Sequence, residues 1–467
     1  MTTNLDGAWD RPVETIDDLV QLFQGAQRPP GQWLVGVEHE KIGVLDDSGL
    51  PVPYAGDRGL LALFERLVAQ GDWGRIHDGG RDAAAVIALQ HLGEGRSETR
   101  QITLEPGGQM ELSAAPQPDG VAAAAELRAH HDELLSGSRA LGLRWLGVGM
   151  RPFGSLDDCP TVPKGRYAVM MSYLPLQGAR ALDMMKRTAT VQVNLDFSDE
   201  ADCAYKLRTA LGVSPILTAL YACSPWLDGR ATGFSSMRAA CWLDTDPQRC
   251  GLLEFALGTD EPTSVYRAYA EWASDVPMFF VFRQGTFRPM PAGFTFRRLL
   301  REGYGGERAS LADFELHLST VFPEVRLKRT LELRGADSGP LSMVEALAPL
   351  ARGLLYDRTA CAAAWSLVAA LSWAERQQLR LDVPRQALEA RAQRHSLREL
   401  AIELVAIARD GLRRLGATPA ELALLDPLAD VAVTGRPWSA RLLDQFGSNL
   451  GEDPASLSKV VDALAYF

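Results

Sequence analysis

Glu38 and Glu40, in the stretch Val35-Gly36-Val37-Glu38-His39-Glu40-Lys41-Ile42-Gly43-Val44, are the first residues of this chain whose types and spacing could do chemistry. In an extended chain alternate side chains share a face, which sets the two carboxylates on one side about 7 Å apart. Two anions on one face make a poor core and a good site for a hard cation such as Mg²⁺. His39 between them points the other way and reads as structural.

Three later stretches repeat the design. Gln109, Glu111 and Ser113 alternate with Met110, Leu112 and Ala114, and Thr190, Gln192, Asn194 and Asp196 alternate with Val191, Val193, Leu195 and Phe197. Arg326, Lys328, Thr330, Glu332 and Arg334 alternate with Val325, Leu327, Arg329, Leu331 and Leu333, where Arg329 alone breaks the apolar side. A period of two predicts half-buried, antiparallel strands, each with an apolar back and a polar front. The fronts divide the work: carboxylates early, amides in the middle, Lys and Arg late. Carboxylates bind hard cations and Lys and Arg pair with phosphates, so the fronts together describe one cavity for a nucleotide and a metal. The turn Pro106-Gly107-Gly108 adds to this, because a fixed φ followed by permissive glycines can return Glu111 to the side of Glu105.

The elements that must position these residues follow from periodicity and breakers. Helices are predicted over 14–26, 58–70, 119–141, 181–186, 199–223 and near 263–275, with another opening at Lys164-Gly165-Arg166-Tyr167; strands are predicted over 143–149 and 277–283. Residues 241–250 are expected to form a hairpin on which Cys241 and Cys250 could face each other. A length of 467 residues exceeds what one small core supports, so two subdomains, or one large sheet wrapped by helices, are expected. The break Gly335-Ala336-Asp337-Ser338-Gly339-Pro340 suggests a division into a catalytic sheet part, 1–340, and a Leu/Ala-rich helical part, 341–467, that braces it.

Composition narrows the function. A net charge of −11 argues against nucleic acid or an anionic membrane as the main partner. No apolar run approaches the roughly 18 residues of a membrane span, and the opening MTTNLDGAWDRPVETIDDL lacks a basic region followed by an apolar one, so the expected location is cytoplasmic. The six cysteines have no C-x-x-C spacing, which disfavours zinc and disulfide frameworks. There is no P-loop, dinucleotide fingerprint or G-x-S-x-G elbow.

Taken in order, Val37-Glu38-His39-Glu40-Lys41, Thr103-Leu104-Glu105-Pro106-Gly107-Gly108-Gln109-Met110-Glu111-Leu112-Ser113, Pro163-Lys164-Gly165-Arg166-Tyr167, Leu182-Asp183-Met184-Met185, Thr190 to Phe197 and Phe322 to Arg329 resemble glutamate–cysteine ligase of the plant and proteobacterial type. The resemblance implies an α+β fold like that of glutamine synthetase: a curved, mainly antiparallel sheet forming a funnel and covered by helices. It implies ATP- and Mg²⁺-dependent joining of the γ-carboxylate of L-glutamate to the amine of L-cysteine through γ-glutamyl phosphate. Its implied metal ligands are Glu38, Glu40, Glu105, Glu111 and Glu332, and Lys328 and Arg334 would reach the ATP phosphates. Gln192 and Asn194 would hydrogen-bond substrate; Arg166, Arg187 and Arg238 would take the amino-acid carboxylates, with Arg187 also catalytic, and Trp242 would wall the cysteine pocket. A γ-glutamyl ligase with another amine acceptor, and a non-catalytic regulatory relative, stay open, as does monomer against homodimer.

Overall fold

Strand β1 (Val35–Leu45) is where the molecule comes together, because it pairs with three partners along its length. The computed structural model describes residues 11–71, 73–80, 84–92, 100–258, 263–451 and 454–466; the opening residues read above for a leader lie, through residue 10, outside them. The other strands of the sheet are β2 (Trp73–His77), β3 (Val86–His91), β4 (Gln101–Leu104), β5 (Met110–Ser113), β6 (Leu143–Leu146), β7 (Thr190–Leu195), β8 (Val325–Leu327) and β9 (Leu331–Asp337). They form one open nine-stranded sheet in the order β8-β9-β7-β1-β5-β4-β3-β2, with β6 on the far end of β1. Every pairing in it is antiparallel.

The alternation expected from sequence is what the sheet uses. Val35, Val37, Leu112, Val191, Val193, Leu195, Leu331 and Leu333 turn to the back and join one large apolar cluster. Onto that back pack α1 (Gly120–Arg139), α4 (Glu200–Leu220) and α6 (Leu341–Leu355). α4 is buried around most of its circumference from Leu207 to Leu220, as a helix between a sheet and further helices must be. The same cluster runs from Val13 to Ala432, so residues on both sides of position 340 share one core. The front is covered by α2 (Gly165–Tyr173), α3 (Ala181–Arg187) and α5 (Met237–Leu243), where Met170, Met184, Met185 and Met237 belong to a second apolar cluster. α7 (Trp373–Gln386) packs against α5, and α8 (Pro454–Leu464) against β6.

Two expectations are corrected. The stretch 325–334 is not one strand but a hairpin: β8 and β9 are joined at Lys328–Thr330, and Arg326 lies opposite Glu332. Residues 241–250 are not a hairpin. Ser236 accepts from Ala239 N and caps α5, which holds Cys241, while Cys250 lies in a short parallel pairing with Phe322; both cysteines are free. Among the described residues no helix is long and apolar enough to cross a membrane.

Candidate active site

Register creates the carboxylate half of the site. Ala114 N donates to Val37 O at 2.9 Å, so Val37/Ala114, His39/Leu112 and Lys41/Met110 carry the ladder bonds between β1 and β5. Glu40 therefore faces Glu111 in the non-bonded kind of pair, in which side chains stand closest. Glu111 in turn faces Thr103 on β4, whose hydroxyl donates to it at 2.6 Å. The Pro-Gly-Gly turn does return Glu105 to this group: Gly108 N donates to Glu105 O and Glu105 N to Gln109 O, both at 2.9 Å, with Gly108 at φ +78°. Tyr167 on α2 donates to Glu105 at 3.1 Å.

The cationic half comes from the β8–β9 hairpin. Arg326 clasps Glu332 with two bonds, of 2.8 and 2.9 Å. Glu332 also receives Arg334 Nη1 and lies 3.6 Å from Lys328 Nζ. Between Leu333 and Ala336 the β9–β7 register shifts, a bulge that re-aims Arg334 toward Gln192, to which it donates at 2.7 Å. Gln192 sits opposite Glu38 on β7 and β1, so the amide strand stands between the two charged halves.

Apart from Thr103 and Glu332, these groups line one open cavity. It brings together Glu38, Glu40, Glu105 and Glu111 with Gln192, Lys328 and Arg334, and the covering helices add Arg166, Arg238 and Trp242. Trp242 packs against Phe322 with ring centroids 5.4 Å apart, and its Nε1 is buried with no hydrogen-bond partner among the described residues. Arg166 donates to Ser319 at 3.1 Å, and its buried Nε has no partner among the described residues.

Three expected residues are placed elsewhere. Arg187 does not line the cavity: it ends α3 with bonds to Asp183, Asp228 and the Gly154 carbonyl, which leave little of the guanidinium for a substrate. Asn194 is not in the wall either; it donates to Glu38 at 2.9 Å and accepts from Thr330, bridging β1 to the hairpin turn. Glu332 has both oxygens engaged by the surrounding cations and serves as their anchor, not as an open ligand.

Conversely, Arg326, Lys164, Tyr167, Gln109 and Thr190 line the cavity without having been singled out for a role. Lys164 and Tyr167 lie within a quoted motif, and Gln109, Thr190 and Arg326 belong to the polar fronts expected to share one cavity.

Charge in this space is unevenly compensated. Burial, and then the charges of Glu332 and Glu111, push Glu38 up to about 7. Burial with Glu105 and Glu111 pushes Glu40 well above the ordinary carboxylate range. Burial lowers Lys328 and Lys164 to about 8. The front thus holds two carboxylates, Glu38 and Glu40, raised by burial and by like charge, beside a cationic hairpin.

Residues 34–460 match the model of glutamate–cysteine ligase family 2. The chloroplastic glutamate–cysteine ligase of Brassica juncea is 37% identical over 97% of this chain and 84% of its own length. Those of Arabidopsis thaliana and Nicotiana tabacum are 37% and 36% identical, over 97% of this chain and 83% of their own lengths. In fold, the chain is similar to a glutamate–cysteine ligase of Francisella tularensis crystallised with AMP, at TM-score 0.55 and 12% identity, covering 92% of this chain and 88% of that one. The likeness bears out the α+β expectation. The relatives' names overturn the cytoplasmic one, since each places its protein in the chloroplast.

Proposed function

The chain belongs to glutamate–cysteine ligase family 2 and is a ligase, and from that premise we propose that the cavity joins L-glutamate to L-cysteine at the expense of ATP. The γ-carboxylate of glutamate attacks the terminal phosphorus of ATP, giving γ-glutamyl phosphate and ADP. The amine of cysteine then adds to the acyl carbon and phosphate leaves, giving γ-glutamylcysteine.

The single observation that carries this reading is the separation of charge across one cavity, with Glu38, Glu40, Glu105 and Glu111 on one side and Arg326, Lys328 and Arg334 on the other. A carboxylate approaching a triphosphate meets strong like-charge repulsion, which both walls serve to offset. Lys328 and Arg334, held in place by Glu332, would bind the phosphates and stabilise the charge of the transferring group. Gln192 orients Arg334 without adding charge. Arg166 and Arg238 are suited to amino-acid carboxylates, because a guanidinium offers a planar fork of donors.

The donor set fits a hard dication: oxygen atoms only, with Glu38 and Glu40 raised as carboxylates lacking counter-charge are. Among the described residues no group of three acidic, histidine or cysteine side chains forms a metal cage. Mg²⁺ is commonly held by one or two carboxylates together with the phosphates of its nucleotide. One or two of Glu38, Glu40, Glu105 and Glu111 would hold it, and when bound it would neutralise phosphate charge.

ADP release by the purified protein with Mg²⁺, ATP and L-glutamate tests the reading when L-cysteine, 2-aminobutyrate, methylamine, ammonia or no amine is added in turn. Turnover is expected to be fastest with cysteine. Fastest turnover with another amine would move the acceptor, and none with any amine, in folded protein that binds ATP, would overturn the ligase reading of the site.

A further inference from the structure

On the face of β1 away from the cavity, a small hydrogen-bond cluster occupies the point where β1 parts from β7. The pairing of these strands ends at His39/Val191, and the next pair would be Glu40/Thr190. Instead Thr190 N donates to the Glu40 carboxylate at 3.0 Å, and the Glu40 carbonyl takes its hydrogen bond from Ser338 Oγ at 3.0 Å. Tyr466 Oη donates to the Gly339 carbonyl at 2.7 Å and lies 3.2 Å from Ser338 Oγ. His39 Nε2 is 3.0 Å from Tyr466 Oη and 3.2 Å from Ser338 Oγ. Each hydroxyl has one proton. With both protons given to carbonyls, the free lone pairs of both oxygens face His39 Nε2, which must then carry the hydrogen. In this arrangement both carbonyls and both hydroxyls are satisfied.

The tail that brings Tyr466 here is built to do so. After α8, Gly147 N donates to Leu464 O at 2.9 Å, Ala465 bridges to Leu146, and Tyr466 N donates to Trp145 O at 2.9 Å. The Tyr466 ring lies over His131, with centroids 4.5 Å apart. A Cβ on Gly147 would come within 2.9 Å of that ring, so the close approach requires glycine there. Tyr466 lies beyond the residues 34–460 that the family model matches.

The cluster touches two of the strands that carry site residues. His39 stands between Glu38 and Glu40, while Ser338 follows Asp337, the last residue of β9, which pairs with Arg238 at 3.7 Å and accepts from Ser224 and Ser236. We propose that Tyr466 is a positioning residue of the active site, whose hydroxyl fixes β1 against the end of β9 and so sets the spacing between Glu40 and Arg238. The activity part of this inference rests on the proposed ligase reading; the structural part does not.

The test compares the full chain with Y466F, which keeps the ring on His131 and loses only the hydroxyl. The ligase kcat is expected to fall about 10-fold while KM for glutamate and ATP stays within about twofold, since a small misplacement of reacting groups costs rate before binding. Amide exchange is expected to quicken in residues 35–45 and 336–339 and to stay unchanged in β2, β3 and β4. Unchanged kcat with unchanged exchange in β1 would overturn the proposal, and so would exchange that quickens throughout the molecule. If Y466F does not fold, S338A, which leaves the tail in place, takes its role with the same expectations. Should the parent protein release no ADP, the ligase reading fails by itself, and the local exchange pattern still decides whether the tail holds β1.

Discussion

Glu38 illustrates how a residue can serve a site against the interest of the fold. It is buried among other carboxylates, accepts one bond from Asn194, and is pushed up to about 7 from an ordinary 4.5. Because the folded state holds this proton more tightly than the unfolded chain, the associated stability is fully present below about pH 4.5 and is lost as pH rises through about 7. The loss is on the order of 3 kcal/mol at most. E38Q keeps the shape and removes the charge. In cation-free buffer at pH 8 it should be more resistant to urea than the parent, and the gain should vanish near pH 4, while ligase turnover falls at least about 10²-fold. Lower stability of E38Q at pH 8 would contradict this account of the site. Some of these residues were legible from alternation alone, since a carboxylate on a polar front has few other places to go. Arg187 was not. An arginine at the end of a helix reads the same whether it faces a substrate or, as here, an aspartate one turn back and a second on a neighbouring loop.

At the scale of elements, the β4–β5 hairpin depends on two glycines for different reasons. Gly108 supplies a positive φ, whereas a Cβ on Gly107 would stand 2.0 Å from the carbonyl oxygen of Lys186 in α3. Gly107→Ala must therefore push the turn off α3 and carry Glu105 with it. It should cost about 2 kcal/mol or more, the range of overpacked positions, and lower turnover beyond what lost stability explains. Thermal unfolding together with kcat on the folded fraction checks this, and a neutral G107A would show that the turn is not held against α3. The Pro-Gly-Gly signal made this hairpin readable. The β8–β9 hairpin gave a weaker signal: its turn, Lys328-Arg329-Thr330, has no glycine, proline or asparagine, and only Arg329 interrupts the alternation of polar and apolar residues there. At 241–250 the expected hairpin does not form, because the cap at Ser236 makes the segment through Leu243 helical.

For the whole molecule, the sheet-with-helices architecture could be read because each strand buries one face and the long apolar helices had to cover it. The route by which the tail returns to β6 and β1 could not, since nothing in Ala465-Tyr466 distinguishes it from any chain end. Stability as a function of pH should reflect the back of the sheet as much as its front. His39 and His130 are lowered well below their ordinary range by burial, His131 falls to about 3, and His317 to about 4. The unfolded chain binds these protons near pH 6.5 and the folded chain does not, so the stability they confer is present above about pH 6.5 and is lost as the pH falls toward 4. The raised carboxylates act in the opposite direction, which makes a difference measurement the clean one. H131F should lessen the fall in urea stability between pH 6.5 and 4 by about 1.4 kcal/mol per pH unit. An unchanged slope would mean that His131 is not held neutral.

The central claim is that the carboxylates and cations of this cavity direct the γ-carboxylate of glutamate onto phosphorus, and oxygen transfer tests it most directly. With L-glutamate labelled by ¹⁸O in the γ-carboxylate, and with Mg²⁺, ATP and L-cysteine, one labelled oxygen should appear in each inorganic phosphate released, read by the isotope shift in ³¹P spectra. Phosphate free of label, formed at the same rate as ADP, would contradict it.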